Sequence, residues 1–227
     1  VSAVALLVLP LVLQSFGNAW VRIADMALLY VLLALGLNIV VGYAGLLDLG
    51  YVAFYAVGAY AWAIFGSKQM SLLYSIPGAA PADAEFFLDP KWFWLFIFLG
   101  VGLAALTGIL LGLPVLRVKG DYLAIVTLGF GEVIRVLALN LDKPINLTNG
   151  PQGITPIQRP PLPPEGVLQF LRSILEPLVG HEVSDANFYN VMFYFLALVI
   201  IAIAIVVATR LEDSRIGRAW TAIREDE

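Results

Sequence analysis

The sequence has 227 residues, of which 60% are apolar and only 13% are charged, and its mean hydropathy is +0.88. Soluble domains contain about 45–50% apolar and about 25% charged residues, so this composition excludes an ordinary soluble protein. The formal net charge of −4 constrains little, because the distribution of Lys and Arg matters more than their sum in a membrane protein.

Five long stretches contain no charged residue, and each is close to or above the roughly 20 residues that a spanning helix needs. They cover residues 1–21, 26–47, 49–67, 92–116 and 186–209. One buried helix of a soluble core could explain one such stretch, but not five. The sequence therefore predicts an all-α, polytopic transmembrane bundle of about six spanning or re-entrant segments, in a single domain over residues 1–227.

The first two predicted helices cover about residues 1–16 and 23–41. Trp20 and Arg22 stand between them, and an amphipathic ring and a snorkelling cation both favour the membrane interface. We therefore expect this connection to lie at one membrane surface.

Residues 42–65 combine four glycines with many alanines. One interpretation is a helix break around residues 42–45, which survives at membrane depth only where protein or a water-filled cavity covers the freed backbone groups. The other is a tight helix contact through small residues, followed by an ordinary loop. Asp48 is expected at an interface, because a charge at the bilayer centre is costly.

A proline-containing external loop is predicted at residues 68–91, followed by helices over about 92–114 and 120–140. Glu132 and Arg135 lie three apart in the second of these helices, so they can pair on one face. Ionisable residues inside a membrane suggest a functional site. A neutralised pair that packs against other helices is the favoured alternative, because one pair does not make a relay.

The longest polar segment, residues 141–187, is rich in proline and predicts an extramembrane flap over one end of the bundle. A last helix over about residues 188–209 leads into a cluster of four arginines within residues 210–227. The bias of Lys and Arg places that tail in the cytoplasm.

Motifs for enzymatic chemistry are missing from the sequence. There is no cysteine and only one histidine, His181, so a metal site is not expected. There is no GxxxxGK[ST] loop to hold nucleotide phosphates, no HExxH and no GxSxG. We therefore expect neither a cofactor nor an ATPase site in this chain, and we do not expect an enzyme.

The tail has the pattern of a short amphipathic helix that begins after Ser214, a residue type favoured at the N-cap. Its apolar positions follow a helical repeat and are Ile216, Ala219, Trp220 and Ile223. Residues 225–227 are acidic and oppose the helix dipole, so a longer helix is expected. From the residues alone, docking on a soluble protein and lying on anionic lipid remain equal alternatives.

Four blocks resemble a known family, the LivM-like permease subunits of bacterial high-affinity branched-chain amino acid ABC importers. The blocks are ALGLNIVVGYAGLLDLGYVAFYAVGAYAWAI at 34–64, LRVKGDYLAIVTLGFGEVIRVLALN at 116–140, NLTNGPQGI at 146–154 and SRIGRAWTAIREDE at 214–227. The resemblance implies a multi-pass permease of the bacterial inner membrane that moves leucine, isoleucine and valine. It also implies a second homologous permease, two ATP-binding subunits that carry the ATP, a periplasmic substrate-binding protein and membrane lipid as partners, with no nucleic acid.

In this family residues 214–227 begin a cytoplasmic coupling helix that contacts the ATPase. The residues assigned to it by resemblance are Ser214, Gly217, Arg218, Ala219, Ala222, Ile223, Arg224 and Glu225. Family members continue beyond this helix, which agrees with the expected longer helix. Asp48 departs from the small polar residue that is frequent there in the family.

The substrate combines an apolar side chain with a zwitterion, so its path needs apolar walls and backbone dipoles at a helix break. The candidate path residues are Asn38, Gly42, Gly45, Gly50, Tyr55 and Gly58, with Glu132 and Arg135 as a candidate ion pair. The alternative function is an ion- or proton-coupled secondary carrier, which would require an inverted repeat and unpaired acidic residues at the midplane.

Overall fold

The computed structural model describes residues 2–74, 86–115, 121–143, 145–163, 165–166, 168–169, 173, 185–215, 217 and 219. These residues form helices and loops without a β-strand. The helices are α1 (Ser2–Ser15), α2 (Asn18–Asn38), α3 (Val52–Phe65), α4 (Gln69–Tyr74), α5 (Phe93–Val115), α6 (Asp121–Asn140) and α7 (Asp185–Glu212). The predicted all-α class is confirmed.

Within the described residues, four helical segments are long and apolar enough to cross a membrane: Ala19–Tyr43, Pro90–Leu113, Tyr122–Asn140 and Asn187–Glu212. The helices α1 and α3 have 14 residues each. At 1.5 Å per residue such a helix is about 21 Å long, which is shorter than a hydrocarbon core of about 30 Å. The six expected segments therefore comprise four full-length spans and two shorter apolar helices.

Helix α2 begins earlier than predicted and includes Trp20 and Arg22. Gly17, at φ 119, provides the turn after α1, and the residues that follow contain no helix breaker. At its other end α2 passes into a π-helical turn, Ile39–Tyr43, and helical structure stops before Val52. The predicted break in the glycine-rich segment is thus present.

The chain divides into two compact units, one of Val1–Gly45 with Leu162–Glu227 and the other of Leu46–Pro161. In the first unit, α1, α2 and α7 pack around Tyr194, which is 1% exposed and whose hydroxyl donates to the Leu6 carbonyl at 3.0 Å. A single domain over residues 1–227 stays a prediction.

The second unit is built on the crossing of α3 and α5, where Gly58 and Gly100 let the two backbones approach closely. The Trp62 ring packs edge-on against Phe93 and Phe96, and its indole N–H donates to the Gln158 carbonyl at 3.1 Å. That hydrogen bond joins Gln158, in the segment predicted to be a flap, to the end of α3.

The motif NLTNGPQGI is a folded loop of this second unit. The Asn149 backbone N–H donates to Asn146 Oδ1 at 2.9 Å, and the Asn149 side-chain amide donates to the Gly153 carbonyl at 2.9 Å. Asn149, Gly150 and Gly153 all have positive φ, which glycine and asparagine tolerate best. The side chain of Gln69 donates to the Asn146 carbonyl, so the loop is bonded to the start of α4.

Candidate functional site

The junction between α7 and the tail is an N-capped turn. Ser214 Oγ accepts the Gly217 backbone N–H at 3.2 Å and donates to the Leu211 carbonyl at 2.7 Å. An N-cap hydroxyl bonds the N–H of the second or third helical residue, and Gly217 is the third after Ser214. The tail helix therefore begins where the Ser214 pattern predicts.

Gly217 is buried against the end of α7. A Cβ at this position would lie 2.5 Å from the Leu211 carbonyl oxygen and closer still to that of Glu212. No other residue fits there without moving the backbone. The requirement for a small residue at Gly217 therefore arises inside this chain, at the turn between α7 and the tail.

Of the other candidate coupling residues, Ser214 is half-buried and Ala219 is exposed on the tail helix. Among the described candidate coupling residues, Ala219 is thus the one at which the tail helix presents a surface. The remaining candidates lie outside the described residues, or their side chains do: Arg218, Ala222, Ile223, Arg224 and Glu225.

Glu212, the last residue of α7, connects this junction to the helix break. Its carboxylate interacts with the Tyr43 hydroxyl, and Tyr43 is the last residue of the π-helical turn. The carbonyl of the same Glu212 lies over Gly217. The end of α7, the tail helix and the π-helical turn therefore form one contiguous cluster.

Three candidate path residues lie in the first unit. Asn38 ends α2, and its Oδ1 lies 2.5 Å from the point where a Cβ on Gly42 would stand. Gly45 has φ +71, a left-handed conformation that favours glycine. Single π-turns inside helices frequently occur at functional sites, and here the turn carries the Asn38 amide and the Tyr43 hydroxyl.

The other three path candidates, Gly50, Tyr55 and Gly58, lie in the second unit. Gly50 is buried with its α-carbon against the Thr127 backbone, so a side chain there would collide with α6. Tyr55 is 45% exposed on α3. Gly58 faces Gly100 of α5 and serves helix packing, so both interpretations of the glycine-rich segment apply, each to different glycines.

The loop before α3 is bonded to α6. The Leu49 N–H donates to Thr127 Oγ1 at 3.0 Å, and the Gly50 N–H donates to Asp48 Oδ1 at 2.8 Å. These two bonds satisfy backbone donors that no helix uses, which is the condition for a break at membrane depth. Asp48 therefore stabilises the local turn.

Glu132 and Arg135 form a two-bond ion pair, with Arg135 Nε donating to Oε2 at 2.8 Å and Nη2 to Oε1 at 2.6 Å. Their side chains are 55% and 63% exposed, and Glu132 is one residue from the middle of the span Tyr122–Asn140. Hydrocarbon does not solvate such a pair, so charged residues in spans face protein or a water-filled cavity. This face of α6 therefore requires such a covering.

A family model described as a branched-chain amino acid transport system permease component matches residues 19–227 of the chain. The chain belongs to this family. The predicted resemblance is thereby confirmed, over the region that holds all the candidate residues.

Two curated relatives of this permease carry the name high-affinity branched-chain amino acid transport system permease protein LivM. The protein from Salmonella typhimurium is 41% identical over 216 residues, which cover 91% of this chain and 44% of the relative. The protein from Escherichia coli is 39% identical over 234 aligned positions, which cover 99% of this chain and 48% of the relative. The chain thus spans about half the length of these relatives. No solved structure matches it.

Two residues of the permease were not predicted from sequence, Tyr43 and Thr127. Tyr43 interacts with Glu212, and Thr127 Oγ1 accepts a hydrogen bond from the Leu49 N–H. Each contact joins positions far apart in the chain, and neither residue type is unusual in an apolar helix. No local signal could have identified them.

A cavity of about 270 Å³ lies between α3 and α6 of the permease. Its walls are aliphatic apart from Tyr60 and Thr148, and Thr148 belongs to the NLTNGPQGI loop. The cavity therefore offers apolar walls of the kind that a branched aliphatic side chain requires.

Proposed function

We propose that this permease is the membrane subunit of an ATP-driven importer of leucine, isoleucine and valine in a bacterial inner membrane. Its partners in this proposal are a second homologous permease, two ATP-binding subunits and a periplasmic binding protein. The observation that carries the proposal is the family match over residues 19–227, with 39–41% identity to two LivM permeases.

The cluster at Glu212 supports a mechanism of coupling. ATP binding closes the two ATPase subunits and displaces the tail helix that contacts them. Because Ser214 caps that helix and Gly217 packs on the end of α7, the displacement passes directly to Glu212. The interaction between Tyr43 and Glu212 then carries it to the π-helical turn. Small shifts of packed elements of this kind drive switching between discrete states.

The translocation path in this proposal combines apolar walls with backbone groups at the helix break. The cavity beside Tyr60 and Thr148 supports the apolar part. The loop at Leu49 and Gly50, in the same unit as the cavity, supports the polar part, because its backbone lies outside regular α-helix. In this proposal, the exposed face of α6 at Glu132 and Arg135 lies against the second permease or lines the aqueous path.

Reconstitution tests the function. The full-length permease with its partner subunits, in vesicles that contain binding protein and ATP, should take up labelled leucine. Vesicles without ATP, or with vanadate, should not. Uptake driven by a proton or sodium gradient in the absence of the ATP-binding subunits would instead establish a secondary carrier.

Ala219 tests the docking role of the tail, since it is exposed and a larger side chain there leaves the Gly217 turn intact. We expect Ala219→Trp to preserve membrane insertion while lowering ATP-driven leucine uptake about tenfold, the usual cost of a bulky clash in a packed contact. Ala202→Trp, at an exposed alanine of α7, is the matched control and should retain uptake. Equal uptake by both variants would contradict docking through this surface.

A further inference from the structure

A groove of about 730 Å³ runs between α2 and α7 within the first unit. It extends from Ala19 to Leu32 along α2 and from Asn190 to Ile200 along α7. At 1.5 Å per residue, the α2 wall is about 20 Å long. One leaflet is half of a hydrocarbon core of about 30 Å, so the groove has the length of one leaflet with its interface.

The polar groups of the groove are confined to the end at which both helices begin. Arg22, Asp25 and Asn190 lie there. The other half, toward Leu32 and Ile200, has only apolar walls. A lipid has the same arrangement, with a polar headgroup at one end and apolar acyl chains at the other.

The carboxylate of Asp25 is the feature of the groove that points most directly to a ligand. Its Oδ1 is buried and accepts no hydrogen bond from any described residue. Arg22 stands three residues earlier on the same helix, yet the two side chains do not form an ion pair with each other. A buried acceptor without a donor is unfavourable, so this oxygen is suited to a donor supplied by a ligand.

We propose that the groove binds one phospholipid whose headgroup carries both a phosphate and a primary ammonium. The Arg22 guanidinium, beside the start of α2, binds the phosphate. The ammonium donates to Asp25, and one acyl chain lies along the apolar walls between α2 and α7. A free amino acid has the same two charges, but it would leave most of a groove of this length empty. This site is separate from the import function and does not depend on it.

Native mass spectrometry of the purified full-length protein tests the site, with equimolar phosphatidylethanolamine, phosphatidylcholine and phosphatidylglycerol. Phosphatidylethanolamine should be retained about tenfold over the other two, because only its headgroup donates hydrogen bonds to Asp25 and also binds Arg22. Equal retention of the three lipids, or a preference for phosphatidylglycerol, would overturn the proposal.

Substitutions locate the lipid. Asp25→Asn should abolish the preference for phosphatidylethanolamine over phosphatidylcholine, whereas Arg22→Gln should lower retention of all three lipids. Lys91→Gln changes an exposed cation at the start of another span and should alter neither quantity. If Lys91→Gln has the same effect as Arg22→Gln, the binding is nonspecific and the proposal fails.

A second pair of variants leaves the charge unchanged and separates loss of the lipid from misfolding of the protein. Ala197 lines the groove on α7, so Ala197→Trp should fill the path of the acyl chain and remove the retained lipid. Ala202→Trp adds the same bulk to an exposed position outside the groove and should keep the lipid. Retention by both variants would place the lipid elsewhere.

Discussion

Two pairs of opposite charges, each spaced by three residues on a spanning helix, adopt different arrangements in this protein. Glu132 and Arg135 bond to each other through two short contacts on α6. Arg22 and Asp25 on α2 remain apart and line a groove. The spacing is the same, so it permits a pair without deciding that one forms.

The order of charge along the helix explains part of the difference. An acid that precedes a base pairs better on a helix than the reverse, in agreement with the helix dipole. Glu132 precedes Arg135, whereas Arg22 precedes Asp25. The surroundings explain the rest, since Asp25 Oδ1 is buried beside α7 and the side chains on α6 are exposed.

The largest expected effect comes from Glu132→Gln, which leaves Arg135 without its carboxylate near the middle of a span. Removing one partner leaves a single charge in a span, which hydrocarbon does not solvate, so uptake-competent transporter should fall about tenfold or more. Leucine uptake by reconstituted vesicles, normalised to inserted protein, measures this. Joint replacement with Arg135→Gln should restore much of the loss. A defect as large in the double variant would mean that the charges act separately.

A smaller effect is expected from reversing the other pair, with Arg22→Asp and Asp25→Arg introduced together. The acid then precedes the base, so the two side chains should bond to each other as Glu132 and Arg135 do. Retention of phosphatidylethanolamine should fall about tenfold, because the headgroup loses both partners. Undiminished retention in native mass spectrometry would show that charge order does not control this groove.

The smallest effect is expected from the opposite reversal, Glu132→Arg with Arg135→Glu. The pair can still form, but its order now opposes the dipole and its geometry is poorer. We expect a lower melting temperature of the assembled transporter, with leucine uptake largely retained. A loss of uptake as severe as that of Glu132→Gln would assign an individual role to one of the two charges.

Much of the fold could be predicted because hydrocarbon imposes strict rules on sequence. Uncharged stretches of spanning length are rare by chance, and three of the five, 26–47, 92–116 and 186–209, lie largely within full-length spans. The Ser214 cap and the helix break around residues 42–45 could also be predicted, because both depend on residues within a few positions. The start of α2 was misplaced, since an arginine near a helix end is compatible with either side of the boundary.

The candidate site was predictable only in part. Gly217 was assigned to the coupling helix by resemblance, but the backbone that requires a glycine there belongs to Leu211 and Glu212, which only a folded turn brings close. Gly58 stays a predicted path residue, and only the structure shows that it also lies at the crossing with Gly100.

The sequence by itself determined that this is a helical membrane protein of the permease family, because hydrophobic length and motif content are local properties of the chain. Tertiary structure alone decided which charges pair, which glycines are crowded and which polar atoms remain without partners. Those properties depend on contacts between helices distant in sequence, such as Tyr43 with Glu212 and Leu49 with Thr127. Apolar helices with similar faces do not encode such contacts in any local pattern.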